Sequence, residues 1–455
     1  MRSPDGGAYA LTTAERAAYG AGSLATATFA VVPGLVLLYY LTSVLGVDAA
    51  VAALVVFLPK LLDVVFSPFV GGFSDATVSR WGPRRPWMIA GAVTFPAGFI
   101  LIFCCPFTGA AGAWWVAIAL ALTGMGFAAF VVPFGVLPAE LAASSQERKS
   151  MTAWRIAFLG VAILAAGAGA PLIAAVDDGG PNGYRLMGIV MGGVMVVGAW
   201  GALYSLRSPS RMTVTAVTTG AGSLRQALSA VRHNRQFSVL FGVFLLIEVV
   251  ISAAMAGLPY LAEQLLGSPE AVAPLFVCVL GPLLLTVPIW LRVARRFGDT
   301  RTLQVALTIF GVGAASATAL PWVDQTNRFP IACAAFLVAG VGFAGAQLLP
   351  NAMLADTLAE DADESGQRRA GVLVGLWSAG ETTAAAAGAG LYGLALAASG
   401  FVSSTSAQVV TQPRSAQIGS VLGFTITAGV AVLAAIALTT RYSRVSAGRK
   451  VSRSG

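Results

Sequence analysis

The chain of 455 residues is 57% hydrophobic and only 11% charged, with a mean hydropathy of +0.79. A soluble domain usually carries about 25% charged residues, so this composition excludes the soluble globular classes and predicts a polytopic membrane protein. The formal net charge of +8 is compatible with nucleic-acid binding, but the placement of the basic residues, described below, favours another explanation. A single histidine, His233, and four cysteines inside apolar runs leave almost nothing for histidine catalysis or a metal site.

Runs of about 20 mainly apolar residues, the length that spans a membrane as a helix, occur twelve times. They cover residues 17–45, 48–72, 86–106, 111–139, 151–176, 186–206, 237–264, 270–293, 301–322, 330–355, 371–398 and 416–440. The polar segment 207–236 separates six runs from six. The sequence therefore predicts an all-α membrane protein with an N-terminal bundle (1–206), a linker (207–236), a C-terminal bundle (237–440) and a basic tail (441–455).

The loop arginines and lysines predict the orientation, because they concentrate on the cytoplasmic side of membranes. Loops on one side of the twelve runs hold only Arg185, Arg328 and Arg414, and nearly all others fall on the opposite side. Both termini are therefore predicted to be cytoplasmic, in the inner or plasma membrane. The positive charge is explained by topology and by an anionic leaflet. We expect the lipid bilayer and a small-molecule substrate as partners, no nucleic acid, no cofactor besides a coupling ion, and a monomer.

Two charges stand inside the second run, in "LPKLLDVVFSP". Lys60 and Asp63 are three residues apart, so they share a helix face, and Asp63 lies about 22 Å along a helix that starts at Asp48. An ionised group in hydrocarbon costs several kcal/mol, and acids retained there usually line an ion path. The pair is interpreted as a cation or proton site, with a self-neutralising structural pair as the alternative.

The stretch from Asp63 to Trp87, "DVVFSPFVGGFSDATVSRWGPRRPW", resembles the signature of the glycoside–pentoside–hexuronide:cation symporters, the melibiose-permease branch of the major facilitator superfamily. "YGAGS", "PFGVLPAEL", "LLPNAMLADTLAEDADESGQRR" and "GLWSAGETT" follow the family in order. The resemblance implies two six-helix halves around a midplane site, with transport by alternating access. It also implies a conformational gate in the loop after helix 2, formed by Asp75, Arg80, Gly82, Arg84 and Arg85.

The cation-coupling candidates are Asp63, Lys60, Ser67 and Glu381, and the resemblance matches Asp63 and Ser67 to a two-acid pattern. The family has two acids in helix 2, and here Ser67 occupies the second position. Sodium prefers several anionic oxygens, whereas a proton needs one suitable group, so the change favours proton over sodium coupling. Glu381 lies deep in the eleventh run, beside Thr382, where the family often has a lysine. A structural glutamate that closes onto a neighbouring helix is the alternative for Glu381.

The substrate-binding candidates come from four helices. Arg155 begins the fifth run, with an interfacial arginine as the alternative. Trp377 offers a ring for stacking, although packing explains a lone tryptophan equally well. Glu248 is a further mid-span acid. The acids that accept sugar hydroxyls in the family fall here on Ala27, next to Thr26, and on Val131. The substrate-binding set is Arg155, Trp377, Thr382, Thr26 and Glu248.

These residues predict cation-coupled symport of a small sugar-like, glycosidic or amphipathic solute, with export of an amphipathic or lipid-like compound as the alternative. Losing two acidic acceptors argues against a simple disaccharide. A membrane enzyme is the competing class, but Asp177–Asp178 and "EDADE" supply no histidine and no repeated ligand spacing. A non-transporting sensor on the same fold is the third possibility. The sequence thus predicts a transporter and not an enzyme.

Overall fold

The computed structural model describes residues 11–141, 145–176, 179–206, 234–365, 370–405 and 412–454. The described part contains twelve long helices and no strand beyond one isolated bridge. The helices are α1 Thr13–Tyr39, α2 Ala49–Ala76, α3 Arg85–Phe103, α4 Gly109–Leu141, α5 Ser145–Ala174, α6 Pro181–Tyr204, α7 Arg235–Gln264, α8 Val272–Phe297, α9 Asp299–Ser316, α10 Gln325–Ser365, α11 Ala370–Ala398 and α12 Arg414–Ser454. Each coincides with one apolar run, so the predicted all-α membrane fold is confirmed.

Local signals set several helix starts. Asp48 Oδ1 accepts hydrogen bonds from the backbone N–H groups of Ala50 (2.9 Å) and Val51 (3.3 Å), which caps α2. Asn234 Oδ1 accepts from the N–H of Phe237 at 3.0 Å and caps α7 in the same way. Helices α3 and α6 begin with a proline in the first turn, where the missing N–H costs nothing. The helices therefore start where short polar residues or proline interrupt the apolar runs.

The helices form two compact units. The first unit comprises residues 1–33 and 58–218, and the second comprises residues 34–57 and 219–455. Residues 34–57, the end of α1 and the start of α2, therefore pack with the second unit. The boundaries predicted from the sequence, at residues 206 and 237, place them in the N-terminal bundle instead. The predicted linker 207–236 falls mostly outside the described residues, so the linker and the domain division remain predictions.

Small residues let helices approach closely within each unit, as is common where lipid replaces water. In the first unit, a Cβ at Gly98 of α3 would lie 2.5 Å from Thr123 Oγ1 of α4. In the second unit, a Cβ at Gly313 of α9 would lie 2.6 Å from the Ala339 Cα of α10. Large apolar side chains point outward instead, with Trp114, Leu285 and Leu433 at least 70% exposed. This inverted pattern suits a lipid environment.

Ten helical segments of the described part are long and apolar enough to cross a membrane, and Ala49–Lys60 forms a shorter apolar one. The protein is therefore a multi-pass membrane protein.

Candidate functional site

Helix α2 carries the charged pair. It is continuous from Ala49 to Ala76, so positions 60, 63 and 67 lie on one face of a single helix. The Lys60 Nζ atom lies 5.9 Å from the centroid of the Phe29 ring of α1, close enough for a cation–π contact. The side chains of residues 61–69 lie outside the described part of the structure. The roles of Asp63 and Ser67 therefore stay predictions, supported by the helix on which they stand.

Arg155, on α5, packs against aromatic rings. Its guanidinium carbon lies 5.3 Å from the centroid of the Phe134 ring of α4. That ring stacks in turn on Tyr19 of α1, with centroids 4.7 Å apart. The Tyr19 hydroxyl is buried and close enough to interact with the Arg155 charge. Arg155 is thus held in place by neighbouring helices, which is a different environment from the water-exposed position of an interfacial arginine.

The arrangement at the start of α1 was only partly visible in the sequence. "YGAGS" marked the helix through the family resemblance, but nothing pointed to Tyr19 as a neighbour of Arg155. Thr26 is buried, and its Oγ1 donates to the carbonyl oxygen of Ser23 at 3.4 Å. Ala27, at the position of the family acid, is buried too. The α1 face around Thr26 and Ala27 therefore carries no acidic group.

The second unit brings two acids together. Glu248 of α7 is only 7% exposed, and its Oε1 accepts a 2.9 Å hydrogen bond from Gln347 Nε2 of α10. Glu381 of α11 is exposed and lies within electrostatic range of the Glu248 carboxyl. Both acids lack an ion pair with any described residue, since the one described salt bridge joins Arg16 to Glu147 at 3.5 Å. Three helices therefore converge on a pair of carboxyl groups with one neutral donor.

Gln347 is a site residue that the sequence analysis did not single out. In the structure α10 extends to Ser365, so Gln347 stands well inside the helix and satisfies Glu248. Glu248 itself was predicted as a substrate-binding acid, and the structure shows it bonded to Gln347, with Glu381 within electrostatic range. The two carboxyls belong to one constellation.

Trp377 and Thr382 are less accessible to a substrate than their positions in the sequence suggested. The Trp377 ring is 4% exposed and stacks on Phe244 of α7, with centroids 4.0 Å apart. Phe241 lies against it as well, at 6.0 Å. This packing favours the structural alternative over a stacking surface for substrate. Thr382 Oγ1 donates to the Ser378 carbonyl of its own helix at 3.2 Å.

The loop between α2 and α3 is compact. Arg84 is buried, and its Nη1 donates to Ser74 Oγ at 3.0 Å. Gly82 has φ +85, a conformation that favours glycine, and its N–H donates to the Ser79 carbonyl at 3.0 Å. Arg80 is exposed and lies over the Trp81 ring at 5.1 Å. Arg85 begins α3, and the Asp75 side chain lies outside the described part.

The polar groups of the membrane-spanning region suit ion and proton binding more than covalent chemistry. Two carboxyl groups within electrostatic range of each other disfavour the doubly charged state, so such a pair favours binding of a proton or another cation. Among the described residues, no three His, Cys, Asp or Glu side chains gather as metal ligands would.

Comparison with known proteins gives a consistent result. The model of the family described as MFS/sugar transport protein matches residues 18–444. An uncharacterized symporter of Synechocystis is 25% identical over 88% of this chain and 88% of its own length. An uncharacterized symporter of Bacillus subtilis is 25% identical over 86% of this chain and 84% of its own. The crystal structure of the nucleoside transporter NupG superposes with a TM-score of 0.66 at 11% identity, covering 95% of this chain and 99% of that one.

Proposed function

Because the chain belongs to the MFS/sugar transport protein family, we propose that it carries a small sugar-like, glycosidic or amphipathic solute across the membrane by cation-coupled symport. The matching relatives named as symporters support the coupling. A cation drives such transport only if it binds the conformations of the carrier with different affinity.

The coupling ion we propose is the proton, and the Glu248 environment carries that proposal. A buried carboxyl with one neutral hydrogen-bond donor, a second carboxyl acting on it and no ion pair among the described residues is costly to keep ionised. Protonation of the Glu248 carboxyl alone removes that cost. Sodium would need a cage of several oxygens, and the two-acid pattern of α2 has lost one acid to Ser67.

Asp63 and Lys60 supply the second part of the coupling proposal. They share a face of α2, and Lys60 contacts the Phe29 ring of α1. An ionised Asp63 and a protonated Lys60 on one helix face sum to zero charge, and protonation of Asp63 would raise that sum to +1. Proton binding there therefore changes the local electrostatics of α2 by one unit. The direction we propose is import by proton symport.

The substrate we propose is less polar than a simple disaccharide. The two family positions that accept sugar hydroxyls hold Ala27 and Val131, neither of which accepts a hydrogen bond through its side chain. Arg155 remains as a donor of several hydrogen bonds, against the Phe134 and Tyr19 rings. One polar anchor beside aromatic surface suits a glycoside with an apolar aglycone or an amphipathic metabolite.

The cellular setting is part of the same proposal. We place the protein in the inner or plasma membrane as a monomer, with both termini in the cytoplasm. The positions of Arg185, Arg328 and Arg414 as the few basic residues on the opposite side support this orientation.

The test is uptake into proteoliposomes, screened over sugars, glycosides and amphipaths under a proton gradient, a sodium gradient or neither. We expect uptake of at least one solute under the proton gradient, and a loss of about tenfold or more in Glu248→Gln. Glu270→Gln is the matched control, since Glu270 is an exposed carboxyl of the same unit, and it should transport normally. Uptake driven by sodium and indifferent to pH would reject the proton.

A further inference from the structure

Two of the four cysteines meet in the second unit. Cys278 stands on α8 and Cys333 on α10, and the whole of α9 separates them in the sequence. Their side chains lie within hydrogen-bonding range of each other. Both cysteines are partly exposed free thiols. The fold therefore creates a pair of neighbouring thiols that no spacing in the sequence indicates.

Helices α8 and α10 approach each other closely where Cys278 stands. A Cβ at Gly340 of α10 would lie 2.6 Å from the Cys278 carbonyl oxygen, so the absent side chain of a glycine lets the two backbones come this near. Further along the same helices, Trp290 Nε1 of α8 donates a 2.9 Å hydrogen bond to the Val341 carbonyl of α10. The thiol pair is therefore part of an interface that holds α8 against α10.

The two thiols also stand at a similar depth. Cys278 lies about 9 Å along α8 from Val272, and Cys333 lies about 12 Å along α10 from Gln325. Both helices cross in the same direction, since α9 returns between them, so both thiols lie in the half of the span farther from the basic loop 292–301. Disulfides form and persist on the oxidising side of a cell membrane, which is the outer side in the proposed orientation.

Packing alone is the competing explanation, because a free cysteine often behaves as a small hydrophobic residue. The other described cysteines show the difference. Cys105 is buried, and its Sγ donates to the Phe107 carbonyl at 3.3 Å, so that thiol is bonded to the backbone of its own loop. Cys278 and Cys333 instead place sulfur next to sulfur, which is the arrangement from which a disulfide forms.

We propose that Cys278 and Cys333 form a dithiol site that an organic hydroperoxide oxidises to a disulfide, which links α8 to α10 covalently. One sulfur, as its thiolate, first attacks the O–O bond; that bond breaks, an alcohol leaves and the sulfur becomes a sulfenic acid. The other thiol then attacks the sulfenic sulfur, so the S–S bond forms and water leaves. The two sulfurs lose one electron each, and the hydroperoxide takes up both electrons and both thiol protons. Organic hydroperoxides dissolve in lipid, so they reach thiols inside a membrane span.

The first test counts free thiols in the full-length protein. Reduced protein in nanodiscs is treated with cumene hydroperoxide, denatured and labelled with N-ethylmaleimide, and mass spectrometry counts the labels. Wild type, with its four cysteines, should lose half of its labels and yield a cross-linked peptide that contains Cys278 and Cys333, and dithiothreitol should restore the full count. Cys104→Ser/Cys105→Ser is the matched control and should lose all of its remaining labels. An unchanged count in wild type, or a loss of label without that peptide, would overturn the proposal.

The second test measures the effect of the covalent link. A disulfide across the long segment between α8 and α10 restricts the unfolded chain, so the hydroperoxide should raise the thermal midpoint of wild type by about 5 °C, and dithiothreitol should reverse the increase. Cys278→Ala/Cys333→Ala should keep the same midpoint with and without the oxidant. A midpoint that rises equally in both proteins would show that the pair does not link α8 to α10. Because neither test uses transport, a wrong substrate or coupling ion leaves both results unaffected.

Discussion

Gly46→Ala probes the connection between α1 and α2, where two separate costs can be calculated. The first is conformational, because φ +68 lies in the left-handed region, which costs an L-residue other than glycine about 1–2 kcal/mol. The second is steric, because the new Cβ would lie 2.6 Å from Thr405 Cγ2, well inside van der Waals contact. Moving segment 401–405 away adds about 1 kcal/mol or more. We expect a total loss of about 2–3 kcal/mol in stability.

Two further variants separate these costs. Gly109→Ala is the control for the conformational part, since Gly109 has φ +60 and nothing lies within 4 Å of the position that a Cβ would take there. It should lose only about 1–2 kcal/mol. Thr405→Ser removes the clashing methyl group, so the double variant Gly46→Ala/Thr405→Ser should return to the level of Gly109→Ala.

The assay is thermal unfolding in detergent micelles, followed by tryptophan fluorescence. Midpoints should fall in the order wild type, Gly109→Ala, Gly46→Ala, with Thr405→Ser raising the midpoint of Gly46→Ala. A Gly46→Ala midpoint equal to that of Gly109→Ala would refute the close approach of Gly46 to Thr405.

Three further outcomes concern the polar groups. Glu381→Gln should lower gradient-driven accumulation about tenfold while leaving substrate counterflow intact, because counterflow needs no net proton movement; equal losses in both assays would assign Glu381 to substrate instead. Arg84→Gln and Ser74→Ala should each destabilise by about 1–2 kcal/mol through their 3.0 Å hydrogen bond, and thermal midpoints of the double variant should fall no further than the larger single change. Asp63→Asn should abolish uphill uptake at every pH between about 5 and 8, whereas uptake that merely changes its pH optimum would remove Asp63 from the coupling site.

The helices were predictable because lipid imposes one simple rule, that a spanning segment must be apolar along about 20 residues. Asp48 and Asn234 also interrupt the apolar sequence directly before a helix, and each caps the helix that follows it. The charged pair on α2 could be recognised from two letters in an apolar run. These features depend on neighbours within one helix, and periodic patterns record them well.

Contacts between distant residues could not be predicted in the same way. Gln347 and Glu248 are 99 residues apart, and the hydrogen bond between them leaves no local pattern. The tryptophan at 377 could be either a binding surface or core until Phe244 was seen to cover its face. The assignment of residues 34–57 to the second unit depends on packing of α1 and α2 against later helices, which hydropathy does not encode.

Proton movement coupled to solute is the central claim, and external pH during uptake tests it most directly. Proteoliposomes in weakly buffered medium, with no imposed gradient, should alkalinise the medium when the transported solute is added and only in proteins that retain Glu248. If the wild-type protein took up substrate while the pH of the medium changed no faster than with Glu248→Gln, that result would contradict proton symport.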